Sequence, residues 1–130
     1  MRIQNLTLAL RAILFNFGLM LIVIILGLIS CLIWWLPLDE RQRIATRGNQ
    51  GIMIWLRLIC DINVTVAGLE NVPNGPCVIL SNHQSAWESF YFQWLFRPVG
   101  FVLKRELFWI PFFGWSLATM APIGIRRSHP

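Results

Sequence analysis

One short segment, CVILSNHQSAWE at positions 77–88, carries the strongest structural signal in this chain. Its first four residues are apolar and predict a strand that is buried on both faces. A turn follows, and then a helix from about Ser85 to Phe96. His83 lies in the turn, and Glu88 follows five residues later in the first turn of the helix. This spacing predicts that Glu88 accepts the Nδ1 proton of His83, which leaves Nε2 free to take a proton from an alcohol.

Three further segments predict strands around this one. Residues 62–66 alternate apolar and polar side chains, which is typical of a half-buried strand. Residues 99–103 predict a third strand, and residues 122–125 a short fourth. Strands that alternate with helical segments indicate an α/β sheet.

The N-terminal part of the chain predicts a membrane anchor. No charged residue occurs from Ala12 to Leu36, and a spanning helix needs about 20 apolar residues. A cleaved signal peptide is the alternative. It is disfavoured because its apolar region is usually about 7–15 residues long and ends at a small-residue cleavage site, whereas this run ends at Trp34-Trp35-Leu36-Pro37. The sequence leaves open whether the anchor crosses the bilayer or only inserts into it.

An amphipathic helix is predicted over residues 40–59. Apolar residues recur there at helical spacing, and Arg43, Arg47 and Arg57 fall largely on the other side. Such a helix is suited to lie at the headgroup level with its arginines toward lipid phosphate. The alternative is a core helix whose basic face is merely solvated.

Composition and charge favour a lipid partner over nucleic acid. The 130 residues are 56% apolar and carry a net charge of +5. The basic residues lie among aromatic and apolar ones next to the predicted anchor, so anionic lipid fits them better than a polynucleotide does. The three cysteines have no metal-type spacing, and one of them lies inside the apolar run. The concentration of aromatic residues between Trp87 and Trp115 predicts that some of these rings form a lipid-facing patch or an acyl-chain groove, and the alternative is that they form the core.

Asn82, His83 and Glu88, together with the downstream run Lys104-Arg105-Glu106-Leu107, resemble the motifs of the glycerolipid acyltransferases. That family has His-x-x-x-x-Asp, whereas this chain has Glu88 at the acidic position. The resemblance implies that His83 is the catalytic base and Glu88 its acidic partner. It also implies that Lys104, Arg105 and Arg127 contact the phosphate of the acceptor.

The implied reaction moves a fatty acyl group from an acyl carrier protein or coenzyme A thioester to a lysophospholipid. The expected acceptor is 1-acylglycerol 3-phosphate, which gives phosphatidic acid. Glycerol 3-phosphate or another lysolipid is the alternative acceptor. A different class of function is an inactive membrane-binding fragment that only adheres to anionic lipid. These residues require no metal ion or prosthetic group, and we expect no nucleic acid partner.

The expected organisation has two parts. Residues 1–60 form the membrane anchor and interfacial helix, and residues 61–130 form the N-terminal part of an acyltransferase catalytic domain. The family continues with a Glu-Gly-Thr-Arg motif and further strands, so the sequence predicts an incomplete, truncated α/β sheet domain. Arg2 and Arg11 precede the apolar run, whereas three arginines follow it closely, Arg41, Arg43 and Arg47. Because positive charge is more frequent on the cytoplasmic side of a membrane, this difference predicts that the C-terminal side is cytoplasmic. The expected location is a bacterial-type inner membrane, and this charge balance places the catalytic part on its cytoplasmic face.

Overall fold

The computed structural model describes residues 2–126, with side chains from Asn5 onward. The described chain is mostly helical and contains one small sheet. Its elements in chain order are α1 (Arg2–Leu32), α2 (Leu38–Cys60), a 3₁₀ turn (Leu69–Asn71), α3 (Ala86–Leu95), β1 (Val102–Lys104), a second 3₁₀ segment (Arg105–Trp109), α4 (Phe113–Ala118) and β2 (Ile123–Ile125). This arrangement agrees with the predicted fold class, two N-terminal helices followed by an incomplete α/β domain.

Helix α1 is long, apolar and mostly exposed. Its 31 residues make a helix about 46 Å long. By length and composition, the stretch Asn5–Leu32 is long and apolar enough to cross a membrane, and little of it is buried inside the protein. Near its C-terminal end, Leu26 and Ser30 are buried against the rest of the chain.

Helix α2 runs antiparallel along α1, and it confirms the predicted amphipathic helix. Trp55 donates its indole N–H to the carbonyl oxygen of Phe15 at 3.3 Å, whereas Gly48 lies against Leu26 further along α1. Its buried residues recur at helical spacing and form one stripe: Gln42, Ala45, Thr46, Asn49, Ile52 and Leu56. The exposed arginines Arg43, Arg47 and Arg57 lie outside this stripe.

The two strands form a parallel pair. Val102 pairs with Ile123, and Lys104 pairs with Ile125. The connection between them contains α4, which packs on α1. The predicted third and fourth strands are therefore present, each three residues long.

Two predicted strands are wrong. Residues 62–66 and 77–80 have no strand structure, and the side chains of Val78 and Leu80 are 88% and 93% exposed. A strand is stabilised by hydrogen bonds and side-chain contacts with a neighbouring strand. Within residues 2–126 the sheet contains only β1 and β2, so high strand propensity alone does not organise these two segments.

Candidate active site

The imidazole of His83 and the carboxylate of Glu88 are in contact. His83 Nδ1 lies 3.1 Å from Glu88 Oε2, as the sequence predicted. The His83 side chain is 63% exposed, whereas the Glu88 side chain is only 18% exposed. The acid thus lies at the protein surface behind the ring, and the ring itself faces outward, where a substrate can reach it.

The start of α3 places the acid. Ser85 has extended backbone dihedrals and precedes the first helical residue, so Glu88 occupies the third position of the helix. A glutamate at this position reaches back toward the N–H groups before the helix and is favoured by the helix dipole. Here the Gln84 N–H donates to Glu88 Oε2 at 3.0 Å. Glu88 Oε2 therefore makes hydrogen bonds to both the backbone of the turn and the imidazole.

These hydrogen bonds keep the acid ionised. The Gln84 N–H makes the largest contribution and lowers the pKa of Glu88 below its ordinary value of 4.5, against the opposing effect of desolvation. The Ser85 N–H and His83 also lower it. A carboxylate has no proton to donate, so Nδ1 carries the proton in this contact. In the described part of the chain, no hydrogen bond occupies Nε2, which is the atom available as a base.

The predicted cations lie after the first strand. Lys104 is the last residue of β1 and Arg105 follows it, and both are exposed. Lys104 Nζ lies 3.9 Å from Glu106 Oε1, a long ion pair between exposed groups that leaves the ammonium accessible to another anion. Arg127 lies outside the described residues.

Arg126 is an additional cation at the same edge of the sheet. Because β1 and β2 are parallel and Lys104 pairs with Ile125, Arg126 leaves β2 where Arg105 leaves β1. The family resemblance implies Arg127 as the basic residue after this strand. The pairing register of the two strands places Arg126 there. A register depends on pairing between distant segments, so the sequence alone did not indicate this residue.

Three buried amide side chains were not singled out from the sequence. Gln42 and Asn49 lie on the buried stripe of α2, and Gln93 lies on α3. Gln42 donates to the carbonyl oxygens of Val99 and Met120, and Asn49 donates to Gln93. Helical spacing could have indicated the burial of Gln42 and Asn49. These two residues are two helical turns apart, on the same side of α2 as Ile52 and Leu56.

Comparison with known proteins gives a consistent result. The sequence model of the family described as acyltransferase matches residues 63–130. A curated 1-acyl-sn-glycerol-3-phosphate acyltransferase from Pseudomonas aeruginosa is 50% identical over 96 residues, which cover 73% of this chain and 37% of that protein. A chloroplastic 1-acyl-sn-glycerol-3-phosphate acyltransferase from Arabidopsis thaliana is 33% identical over 69 residues, 52% of this chain and 19% of that protein.

The protein of that same name from Saccharomyces cerevisiae is 30% identical over 91 residues, 62% of this chain and 30% of that protein. The matched part of the chain thus spans well under half the length of these relatives. No solved structure gives a significant match.

Proposed function

The chain belongs to the acyltransferase family, and from this premise we propose that it carries the catalytic base of an acyl transfer to 1-acylglycerol 3-phosphate. The donor in this proposal is a coenzyme A or acyl carrier protein thioester, and the product is phosphatidic acid. The names of the relatives support the acceptor. The observation that carries the proposal is the 3.1 Å contact between His83 Nδ1 and Glu88 Oε2, with the imidazole exposed.

In the proposed reaction the neutral His83 ring acts through Nε2. Nε2 takes the proton of the acceptor hydroxyl while that oxygen attacks the thioester carbonyl carbon, which forms the new C–O bond. Glu88 stabilises the resulting imidazolium through Nδ1–H. When the tetrahedral intermediate collapses, the C–S bond breaks, and the imidazolium returns the proton to the departing thiolate. General-base assistance of this kind contributes about 10²–10⁴ in rate.

The groups around the base have complementary roles. The first N–H groups of α3 carry partial positive charge, and they face developing negative charge either on the thioester oxygen or on the acceptor phosphate. Lys104, Arg105 and Arg126 supply cations at one sheet edge, and Arg127 follows directly in sequence. In the proposal these cations hold the phosphate of the acceptor.

We propose that the chain is attached to one leaflet of the membrane. Trp55 of α2 packs at Gly18, in the middle of the apolar stretch of α1, and the exposed Arg57 is close by on α2. If α1 crossed the bilayer, Arg57 would lie near its centre, where an arginine costs about 2.5–3.5 kcal/mol or more. An orientation parallel to the surface instead buries the exposed apolar side chains of α1 and leaves the arginines of α2 at the headgroups. The proposed side is the cytoplasmic face of a bacterial-type inner membrane.

Spin labels at exposed positions of α1 test this attachment. Labels at Leu6, Ile13, Met20 and Leu28 are placed in variants without the native cysteines, in vesicles of anionic phospholipid. In the one-leaflet arrangement the four labels have similar shallow depths. A depth that peaks at the bilayer centre near the middle of α1 would instead show that the helix crosses the membrane.

An acceptor panel tests the reaction. The chain is assayed alone and joined to the remainder of the Pseudomonas aeruginosa relative, so that it replaces the matching part of that protein. A radiolabelled acyl thioester is supplied with 1-acylglycerol 3-phosphate, glycerol 3-phosphate or a neutral lysolipid. We expect the fused protein to label 1-acylglycerol 3-phosphate preferentially. Preference for glycerol 3-phosphate or for a lysolipid without a free phosphate would contradict the proposed acceptor, and no transfer to any acceptor would contradict the proposed activity.

A further inference from the structure

Gln42 is a buried side chain that connects α2 to the segments that precede both strands. It is 2% exposed, and its Nε2 donates to the carbonyl oxygen of Met120 at 3.2 Å and to that of Val99 at 3.4 Å. Val99 lies three residues before β1, and Met120 lies three residues before β2. One amide group on α2 therefore holds the segments that lead into both strands.

This connection matters because the sheet is very small. Each strand has three residues, and the described ladder is extended by the hydrogen bond from the Ile123 N–H to the carbonyl oxygen of Phe101 at 2.7 Å. An isolated two-stranded pair is only marginally stable in water. The hydrogen bonds from Gln42 fix the segments before both strands on α2, and this stabilises a pairing that three residues per strand would hold only weakly. The other end of the pair carries Lys104 and Arg126.

The same helix also holds the element that carries the base. Asn49 lies two turns after Gln42 on the buried stripe, and its Nδ2 donates to Gln93 Oε1 at 2.6 Å. Both side chains are buried, and Gln93 belongs to α3, whose first turn contains Glu88. Helix α2 is thus hydrogen-bonded to α3 through Asn49 and, through Gln42, to the segments that precede the two strands.

We propose that Gln42 is a positioning residue, which sets the location of the phosphate-binding cations on the sheet relative to the His83–Glu88 pair on α3. This inference rests on the proposed function, because it assigns the acceptor phosphate to Lys104 and Arg126. Packing alone does not account for the choice of side chain. An apolar residue of similar size would fill the same volume without the cost of burying an amide, but the carbonyl groups of Val99 and Met120 would lose their donor.

Hydrogen exchange on the intact chain tests the structural half of the inference. Gln42→Met keeps the length of the side chain and removes the donor. We expect exchange of the Ile123 amide in detergent micelles to accelerate about 10-fold or more, because the opening free energy of the short ladder falls. Gln50→Met is the matched control, since Gln50 is exposed on the same helix and should leave this exchange rate unchanged. If Gln42→Met does not fold, Gln42→Asn replaces it, because it retains an amide that is one methylene shorter.

Kinetics of the fused protein test the functional half. Misplacement by about 1 Å can cost on the order of 10²-fold in catalysis, so we expect Gln42→Met to raise KM for 1-acylglycerol 3-phosphate about 10-fold. KM for the thioester should stay within about twofold of its original value. A mere loss of folded protein would lower kcat and leave both KM values unchanged.

The outcomes separate the two proposals. Unchanged Ile123 exchange in Gln42→Met would overturn the inference, and so would an unchanged acceptor KM in an active fused protein. An inactive parent fusion would contradict the proposed function, whereas Ile123 exchange would still decide whether Gln42 holds the strands.

Discussion

Replacing Gly27 by alanine tests whether α1 is packed on the rest of the chain. A methyl group on Gly27 would stand 2.5 Å from Cα of Phe112 and 2.6 Å from both its Cβ and its carbonyl oxygen. Normal contacts between carbon atoms are about 3.5–4.0 Å, so α1 and the start of α4 would have to separate by roughly 1 Å. Overpacking of this kind costs about 1–3 kcal/mol. Three simultaneous contacts, two of them with backbone atoms, place Gly27→Ala near the upper end of that range.

The net effect is smaller because alanine favours the helix. Alanine stabilises a helix interior by about 1 kcal/mol relative to glycine, which leaves a destabilisation of about 2 kcal/mol. Gly51→Ala on α2 is the matched control, since nothing lies within 4 Å of its Cβ position, and it should gain about 1 kcal/mol.

Thermal unfolding of the chain in detergent micelles, followed by circular dichroism, measures both variants. We expect Gly27→Ala to lower Tm by roughly 6–10 °C and Gly51→Ala to raise it by roughly 3–5 °C. Equal shifts in both variants would refute the packing of α1 against the start of α4.

The remaining predictions concern the acid and the buried amides. The hydrogen bonds to the Glu88 carboxylate lower its pKa, so a ¹³C NMR titration of this group should have its midpoint below pH 4.5, and a midpoint at or above 4.5 would disagree. The stability that these contacts contribute should be fully present above pH 4.5 and should be lost as the pH falls through the lowered pKa. Asn49→Leu leaves the Gln93 amide buried without its partner and should cost about 1–3 kcal/mol in denaturant unfolding. The double variant Asn49→Leu, Gln93→Leu should recover most of that loss, and a double variant less stable than Asn49→Leu would contradict the pairing. Glu88→Asp should retain acyl transfer in the fused protein because a small adjustment of the side chain restores the contact, whereas Glu88→Ala should lower it about 10²–10⁴-fold; equal rates for the two variants would remove the role of the acid.

Local features of this chain were predictable from its sequence. The helix that carries Glu88 and its contact with His83 depend on residues five positions apart, so spacing and helix geometry suffice to predict them. The amphipathic helix α2 follows from periodicity for the same reason. Strands β1 and β2 were located within one to three residues at their starts.

Non-local features were not predictable. Residues 62–66 and 77–80 have the composition of strands, but a strand also requires a neighbour at the right distance, which composition does not specify. The amides of Gln42 and Asn49 count as polar in a periodicity argument. Their burial is explained by hydrogen bonds to distant residues. Gln42 donates to the carbonyl groups of Val99 and Met120, and Asn49 donates to the side chain of Gln93. Arg126 was likewise identified by the pairing register.

Acyl transfer by the His83→Ala variant of the fused protein tests the central claim most directly. The unmodified fusion and the variant are purified, compared by circular dichroism, and supplied with a radiolabelled acyl thioester and 1-acylglycerol 3-phosphate. Removing the imidazole removes the proposed base, so we predict a loss of about 10²–10⁴-fold in kcat at unchanged fold. A folded variant that forms phosphatidic acid at the rate of the unmodified fusion would contradict it.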